Sequence, residues 1–196
     1  MTDEKLLIDR ARRGDMEAFH ELVERSKIMT YRVAYDLTGN RQDAEDLSQE
    51  VYVRAYRALK NFRGDSKWST WLYRIITNVS HDHWRKESTR RIDYMENLEN
   101  HNSKIDEAKV QANPGPDRIA EGAIIQSNID RALNALSPQE RTVFVLRHYN
   151  HLQLNEIAAT LKIAEGTVKS YLFRAVKRLQ KELAFYRPEL GLEKQS

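Results

Sequence analysis

The chain has 196 residues, of which 40% are hydrophobic and 31% charged, with a formal net charge of +3. That length allows one ordinary domain or two small ones, and the apolar content excludes wholesale disorder. Cysteine is absent, which removes disulfides, thiol catalysis and most zinc-finger patterns. No run approaches the ~18 apolar residues of a membrane span, and Met1–Gly14 lacks the apolar centre of a signal peptide, so a cytoplasmic protein without membrane insertion is expected. With only 7 glycines and 4 prolines, few tight turns are available and an all-β fold is disfavoured.

In chain order, Leu7, Ala11, Ala18, Phe19, Leu22 and Val23 keep helical spacing, with Gly14-Asp15 as an interruption. Asn40 with Asp43 makes a cap and first turn for a helix that turns Ala44, Leu47, Val51, Ala55 and Leu59 to one face. Its other face carries Asp43, Asp46, Glu50, Arg54 and Arg57. A break at Phe62–Trp68 precedes a third helix through Trp71, Leu72, Ile75, Ile76 and Val79. Residues 92–122 then carry a net charge of −4, between basic flanks of +3 and +4, and contain the helix-breaking run Asn113-Pro114-Gly115-Pro116. They read as a flexible acidic linker between two small helical domains, residues 1–91 and 123–187, with a tail at 188–196.

Ser137-Pro138-Gln139-Glu140 is a capping box with proline at the first helical position. It decides for helix against the β-branched run Thr142–Leu146. Leu154–Leu161 forms a short helix, Lys162–Gly166 a turn, and Thr167 caps a longer helix with the inward stripe Val168, Leu172, Ala175, Val176, Leu179 and Leu183. Short helix, turn and longer helix is the helix-turn-helix plan, whose second helix lies in the major groove. The outward face here is Lys169, Ser170, Phe173, Arg174, Lys177, Arg178 and Lys181. Early residues suit base edges and later cations suit phosphates. A solvated lysine-rich face is the bland alternative, and Phe173, bordering the apolar stripe, could instead be core. The fold class is all-α.

In the first half, between its second and third helices, the stretch Arg63–Ser69 with its neighbours interleaves aromatic rings and cations. Rings stack on unpaired bases while cations follow the backbone, so the loop suits single-stranded nucleic acid. Trp71 and Leu72 read better as core.

Four blocks, in order, resemble the extracytoplasmic-function sigma factors of bacterial RNA polymerase. They are Asp43–Tyr52; Phe62–Ser66 with Thr70–Ile75, Asn78, Asp82 and Arg85; Ala135–Arg141; and Glu165–Ser170 with Phe173-Arg174-Ala175. The resemblance covers roughly residues 5–91 and 123–184. It implies a dissociable specificity subunit, neither enzyme nor metal or cofactor binder, whose partners are core RNA polymerase, promoter DNA and an anti-sigma factor. Asp46, Gln49, Glu50 and Arg54 match the positions that dock on the polymerase clamp. Phe62, Arg63, Gly64, Asp65, Ser66, Lys67 and Trp68, with Asn78, match the part that captures a flipped base of the melted minus-ten element. Lys169, Ser170, Phe173 and Arg174, extended by the cations Lys177 and Arg178, match the reader of the duplex minus-thirty-five element. The acidic linker matches the segment threaded near the RNA exit path.

The chain departs from the family pattern at three places. Gln153 replaces a small capping serine or threonine, which predicts a less firmly started helix. Tyr171 replaces a common basic residue, which removes one phosphate contact, and Trp68-Ser69 fills a variable pair in the loop. Two other functions compete. A free-standing helix-turn-helix regulator explains residues 137–184 but leaves Asp43–Arg54 and the aromatic loop without a task. A metal-dependent enzyme is suggested by His81, His83, His101, His148 and His151, yet His81 and His83 lack the three- or four-residue spacing of ligands on one helix face.

Overall fold

Side-chain caps set where the first helices begin. In the computed structural model, which describes residues 3–99 and 117–184 (side chains over 3–90 and 126–184), helix α1 spans Asp3–Arg12 and α2 spans Met16–Thr38. Asp15 between them is extended, and its carboxylate accepts the Ala18 N–H at 3.0 Å. That bond, aided by Arg10, holds the Asp15 carboxyl below its ordinary value. Asn40 repeats the device for α3 (Arg41–Ala58) by accepting the Asp43 N–H at 3.2 Å. A short 3-10 turn over Leu59–Asn61 and a loop lead into α4, Trp68–Glu99. This helix continues past residue 92, where the sequence suggested a linker. The core of that expected linker and the tail at 188–196 lie outside the described residues.

The second unit contains α5 (Asp117–Asn134), α6 (Pro138–Phe144), α7 (Leu154–Leu161) and α8 (Glu165–Glu182). The capping box closes as expected. The Ser137 hydroxyl accepts the Glu140 N–H at 3.3 Å, and the Glu140 carboxylate accepts the Ser137 N–H at 3.1 Å. Residues Val145–Tyr149 widen into a single π turn, and the chain then bends through His151, at φ 57°. At Gln153 the Glu156 carboxylate accepts the backbone N–H at 2.7 Å, half of a capping box that does not depend on the residue type at this position. The expected cap of α8 at Thr167 is incorrect. Ala164 takes the extended cap conformation, and Gly166 and Thr167 are already helical, with Glu165 supplying the acidic first turn. Every regular element among the described residues is helical, and no described helix is long and apolar enough to cross a membrane.

The two units pack against one another. Val143, Val145, Leu146, Leu152, Ile157 and Val168 join the same buried cluster as Leu22, Leu37, Leu72 and Ile76. A smaller cluster under α5 and α8 holds Leu133, Leu136 and Ala175. Polar contacts stitch the joint: Tyr73 Oη donates to Asn150 Oδ1 at 3.3 Å, Arg74 Nη2 to the Ala159 carbonyl at 3.3 Å, and His81 Nε2 meets Thr142 Oγ1 at 3.3 Å. At the end of α2, Arg141 is 4% exposed, and its Nε donates to the Asp36 carbonyl at 2.7 Å while Nη1 donates to Asn134 Oδ1 at 2.6 Å. Gly39 makes room for it. A Cβ there would meet Arg141 Nη2 at 3.0 Å, and the φ of +71° already favours glycine.

Burial at this joint pushes the Asp36 carboxyl up to about 6; Arg141 opposes the rise and Asp130 adds to it. From about pH 4 to 6 the folded chain therefore holds more protons here than the unfolded one, so this contribution to stability falls as pH rises through that window. Asp36→Asn should stabilise the protein at neutral pH by roughly 1–2 kcal/mol, with a gain that shrinks toward pH 4. Thermal unfolding at both pH values checks this, and a gain independent of pH would refute it.

Candidate nucleic-acid interface

The loop between the 3-10 turn and α4 is tied down at both ends by aromatic burial. Phe62 and Trp68 are 4% and 3% exposed. Trp71 stacks between them, with ring centroids 4.8 Å from Phe62 and 5.0 Å from Trp68, and Trp68 Nε1 donates to Ser26 Oγ at 3.3 Å. These two predicted contact residues are thus floor, not surface. Arg63, Gly64, Asp65, Ser66 and Lys67 form the exposed arc, and Gly64 turns it at φ 77°. Beside the arc lies a cleft that also includes Asn61, Trp71 and Arg74. Arg74 belongs to the matched block Thr70–Ile75 but is not among the expected contact residues, because its place on that cleft depends on how α4 leaves the loop. Asn78 is exposed but does not join the cleft; it lines a different cavity, of ≈ 130 Å³, between α4 and the second unit, together with Gln139, Thr142 and Tyr171.

On α3, Asp46 and Gln49 are exposed and Glu50 and Arg54 half-buried. Arg54 bridges two helices, its Nε donating to Glu50 Oε1 at 2.7 Å and its Nη1 to Asp82 Oδ2 at 2.7 Å. Arg85 donates to the other Asp82 oxygen at 2.9 Å. The hydrogen bond from Arg54 holds the Asp82 carboxyl below its ordinary value. Val53 and Tyr56, 43% and 45% exposed, complete this face. Both stand off the inward stripe in the sequence, which was the available sign that they face outward.

Helix α8 packs through Val168 and Ala175, both fully buried, and turns Lys169, Ser170, Phe173, Arg174, Lys177 and Arg178 to solvent. Phe173 is 70% exposed, so it is not core. Before α8, Lys162 takes a left-handed conformation at φ 56° and closes the turn. Lys169 pairs with Glu165 at 2.9 Å, and Ser170 Oγ donates back to the Gly166 carbonyl at 2.9 Å. Arg178 is tied to the fold, donating to the Ala135 carbonyl at 3.2 Å. Glu140, 3% exposed, lies 3.4 Å from the Nε of both Arg174 and Arg178. Among the histidines, His81 sits in the joint, where burial lowers its value, and His83 lies 3.5 Å from Asp43. No three metal-ligating side chains gather among the described residues.

The helical unit with the aromatic loop and the unit with the helix-turn-helix correspond to two family matches, sigma-70 region 2 over residues 22–90 and sigma-70 region 4 over residues 126–179. The chain is 33% identical to the ECF RNA polymerase sigma factor SigW of Bacillus subtilis over 187 residues, 91% of this chain and 96% of that one. The chain belongs to the extracytoplasmic-function sigma factors. Other relatives are the RNA polymerase sigma-H factor of Pseudomonas aeruginosa, 32% identical over 90% of this chain and 92% of that one, and the sigma-E factor of Escherichia coli, 33% identical over 89% and 91%. Two solved structures share the fold. CnrH, bound to the cytosolic domain of CnrY, superposes with a TM-score of 0.65 at 22% identity over 92% of this chain and 97% of that one. RpoE of Bartonella quintana, bound to the anti-sigma factor NepR, gives 0.63 at 24% identity over 85% and 96%. Members of this family are non-catalytic transcription initiation factors.

In this sigma factor the ends of the region 2 loop are structural and its middle is free. Trp68→Ala should therefore cost about 3–5 kcal/mol of unfolding free energy and Lys67→Ala less than about 0.5 kcal/mol. Denaturant titration of the two variants checks this; equal effects would contradict the division.

Proposed function

We propose that this chain is an alternative sigma factor that docks on core RNA polymerase through α3, captures a base of the melted minus-ten element with the loop beside α4, and reads the minus-thirty-five duplex with α8. The observation that carries the reading is the combination, in one chain, of an exposed acidic and apolar helix face, an exposed polar arc on an aromatic floor, and an exposed basic helix after a tight turn. On α3, Asp46, Gln49 and Glu50 surround Val53, a composition suited to a protein partner, and the Arg54–Asp82 pair fixes that face relative to α4. The arc Arg63–Lys67 carries the cations and hydrogen-bonding groups, and its aromatic floor excludes water from a captured base, whose unstacking costs a few kcal/mol. On α8, Arg174 and Lys177 remain exposed for bases and phosphates. An anti-sigma factor is the expected regulator, since RpoE of Bartonella quintana is bound to the anti-sigma factor NepR and CnrH to the cytosolic domain of CnrY. The free-standing regulator stays inferior because it leaves the α3 face and the loop without a task.

The packed joint bears on the mechanism. The two promoter elements lie about 25 base steps apart, roughly 85 Å of duplex at about 3.4 Å per step. Asn78 and Tyr171 of the recognition helix line one cavity. Engaging both elements therefore requires the units to separate, and the packed form is a resting state. With no native cysteine, dyes placed at His20→Cys and Gln180→Cys should report this. Energy transfer should fall when core polymerase binds, and unchanged transfer would overturn the opening.

The deciding experiment is in vitro transcription with bacterial core polymerase on fragmented genomic DNA, with transcript starts sequenced. Starts that depend on the protein and share two upstream elements are expected. Duplex binding without new starts would favour the free-standing regulator. In the same assay Arg174→Ala should lose minus-thirty-five recognition while retaining polymerase binding, and replacing Gln49 and Glu50 together should do the reverse. Equal loss of both activities in either variant would sink the assignment.

A further inference from the structure

Arg174 is held on two sides before any DNA arrives. Its Nε lies 3.4 Å from Glu140 Oε1, on a carboxylate only 3% exposed, and its guanidinium carbon sits 4.9 Å from the centroid of the Tyr171 ring. The first contact engages Nε and the second the face of the guanidinium, so the edge that carries the two Nη groups is what remains for a ligand. Arg174 itself is about half exposed, its side chain at 53%. The carboxylate is held in place, because Glu140 is the third helical residue of the α6 capping box and its Oε2 both accepts the Ser137 N–H and lies 3.4 Å from Arg178 Nε. Arg178 in turn is anchored to the Ala135 carbonyl. Tyr171, half-buried against the core, is likewise fixed.

We infer that Glu140 and Tyr171 are positioning residues that pre-orient Arg174 as the base-reading arginine of this sigma factor. The inference rests on the reading of α8 as the minus-thirty-five helix. A free arginine loses rotamer entropy when its fork is fixed, and a base pair read bidentately needs that fork in one orientation. A clamp that orders the side chain beforehand lowers the cost of the matched contact and leaves contacts with phosphates unaffected. It also gives Tyr171 a task. The residue stands where related chains commonly place a cation, so a sequence-independent phosphate contact is exchanged for orientation of a sequence-reading one.

The test uses holoenzyme and duplex fragments carrying the minus-thirty-five element recovered from the mapped starts, or that element with single base pairs exchanged. The quantity read is the ratio of affinities between matched and exchanged duplex. Tyr171→Leu should reduce that ratio about two- to fivefold, the size of an exposed cation–π contact, and Tyr171→Phe should restore it. Glu140→Gln should reduce it by a similar factor. None of the three should change the slope of affinity against salt, because the number of phosphate contacts stays constant. Tyr171→Arg should instead raise affinity for every duplex and steepen the salt slope by about one contact while discrimination falls. Asp15→Ala separates loss of stability from loss of positioning: it removes the α2 cap, which touches none of Glu140, Tyr171 and Arg174, and should lower the unfolding temperature by a few degrees without altering the ratio. The clamp is overturned if Tyr171→Leu and Glu140→Gln discriminate as the parent does while Arg174→Ala does not. If Arg174→Ala also discriminates normally, the reading of α8 has failed and the clamp falls with it.

Discussion

The guanidinium of Arg141, buried at the end of α2, is the contact on which the arrangement of the two units depends. A buried cation is costly unless its donors are matched, and here the matching groups come from both units. Asp36 supplies a carbonyl from the last turns of α2, and Asn134 supplies a side-chain oxygen from the end of α5. Helix α2 has no basic residue in its last turn, so Arg141 brings from the other unit the positive charge that a helix C-terminus favours. Desolvation pulls the guanidinium below its ordinary value, while the charges of Asp130 and Asp36 act in the opposite sense. Gly39 leaves the space that this side chain fills.

A joint of that kind holds without being permanent. Its apolar part is continuous with the core, as Leu146 and Ile157 belong to the same cluster as Leu72 and Ile76. Its polar part is a small number of hydrogen bonds that water or a partner can replace. The proposed opening asks of this joint that it order the free chain and still divide on binding. The residues that make the joint and those that meet partners are largely separate. Two residues are exceptions: Asn78, a predicted promoter contact, faces the second unit in this arrangement, and Arg74 lines the cleft beside the loop while donating to the Ala159 carbonyl.

The same division runs through each candidate surface at the scale of single side chains. At the loop, Phe62 and Trp68 are consumed by the core and the five residues between them stay outside. On α3, Arg54 serves the fold through Asp82 as much as it serves any partner. On α8, Arg178 is bound to Glu140 and to a carbonyl, whereas Phe173 and the outer edge of Arg174 are presented to solvent. An exposed aromatic ring beside an oriented arginine combines apolar surface with a cation more weakly hydrated than an ammonium, two residue types enriched where proteins meet partners.

Periodicity and capping chemistry made most of the helical framework legible in the sequence, because both act between residues close along the chain. The Asn40 cap, the Ser137 capping box, the inward stripes of α3 and α8 and the basic outer face of α8 follow from spacing alone. Spacing did not locate the start of α8 at Ala164, where the cap has no side-chain bond to betray it, nor the extension of α4 to Glu99. It also could not separate Phe62 and Trp68 from the loop they bracket, because aromatic residues suit both base stacking and a core. The tertiary structure decided the contacts between residues far apart in the chain: Arg141 on Asp36, Arg54 on Asp82, Glu140 on Arg174. Local pattern specifies which face of a helix is apolar, but only packing determines which partner that face, and the charges at its rim, will meet.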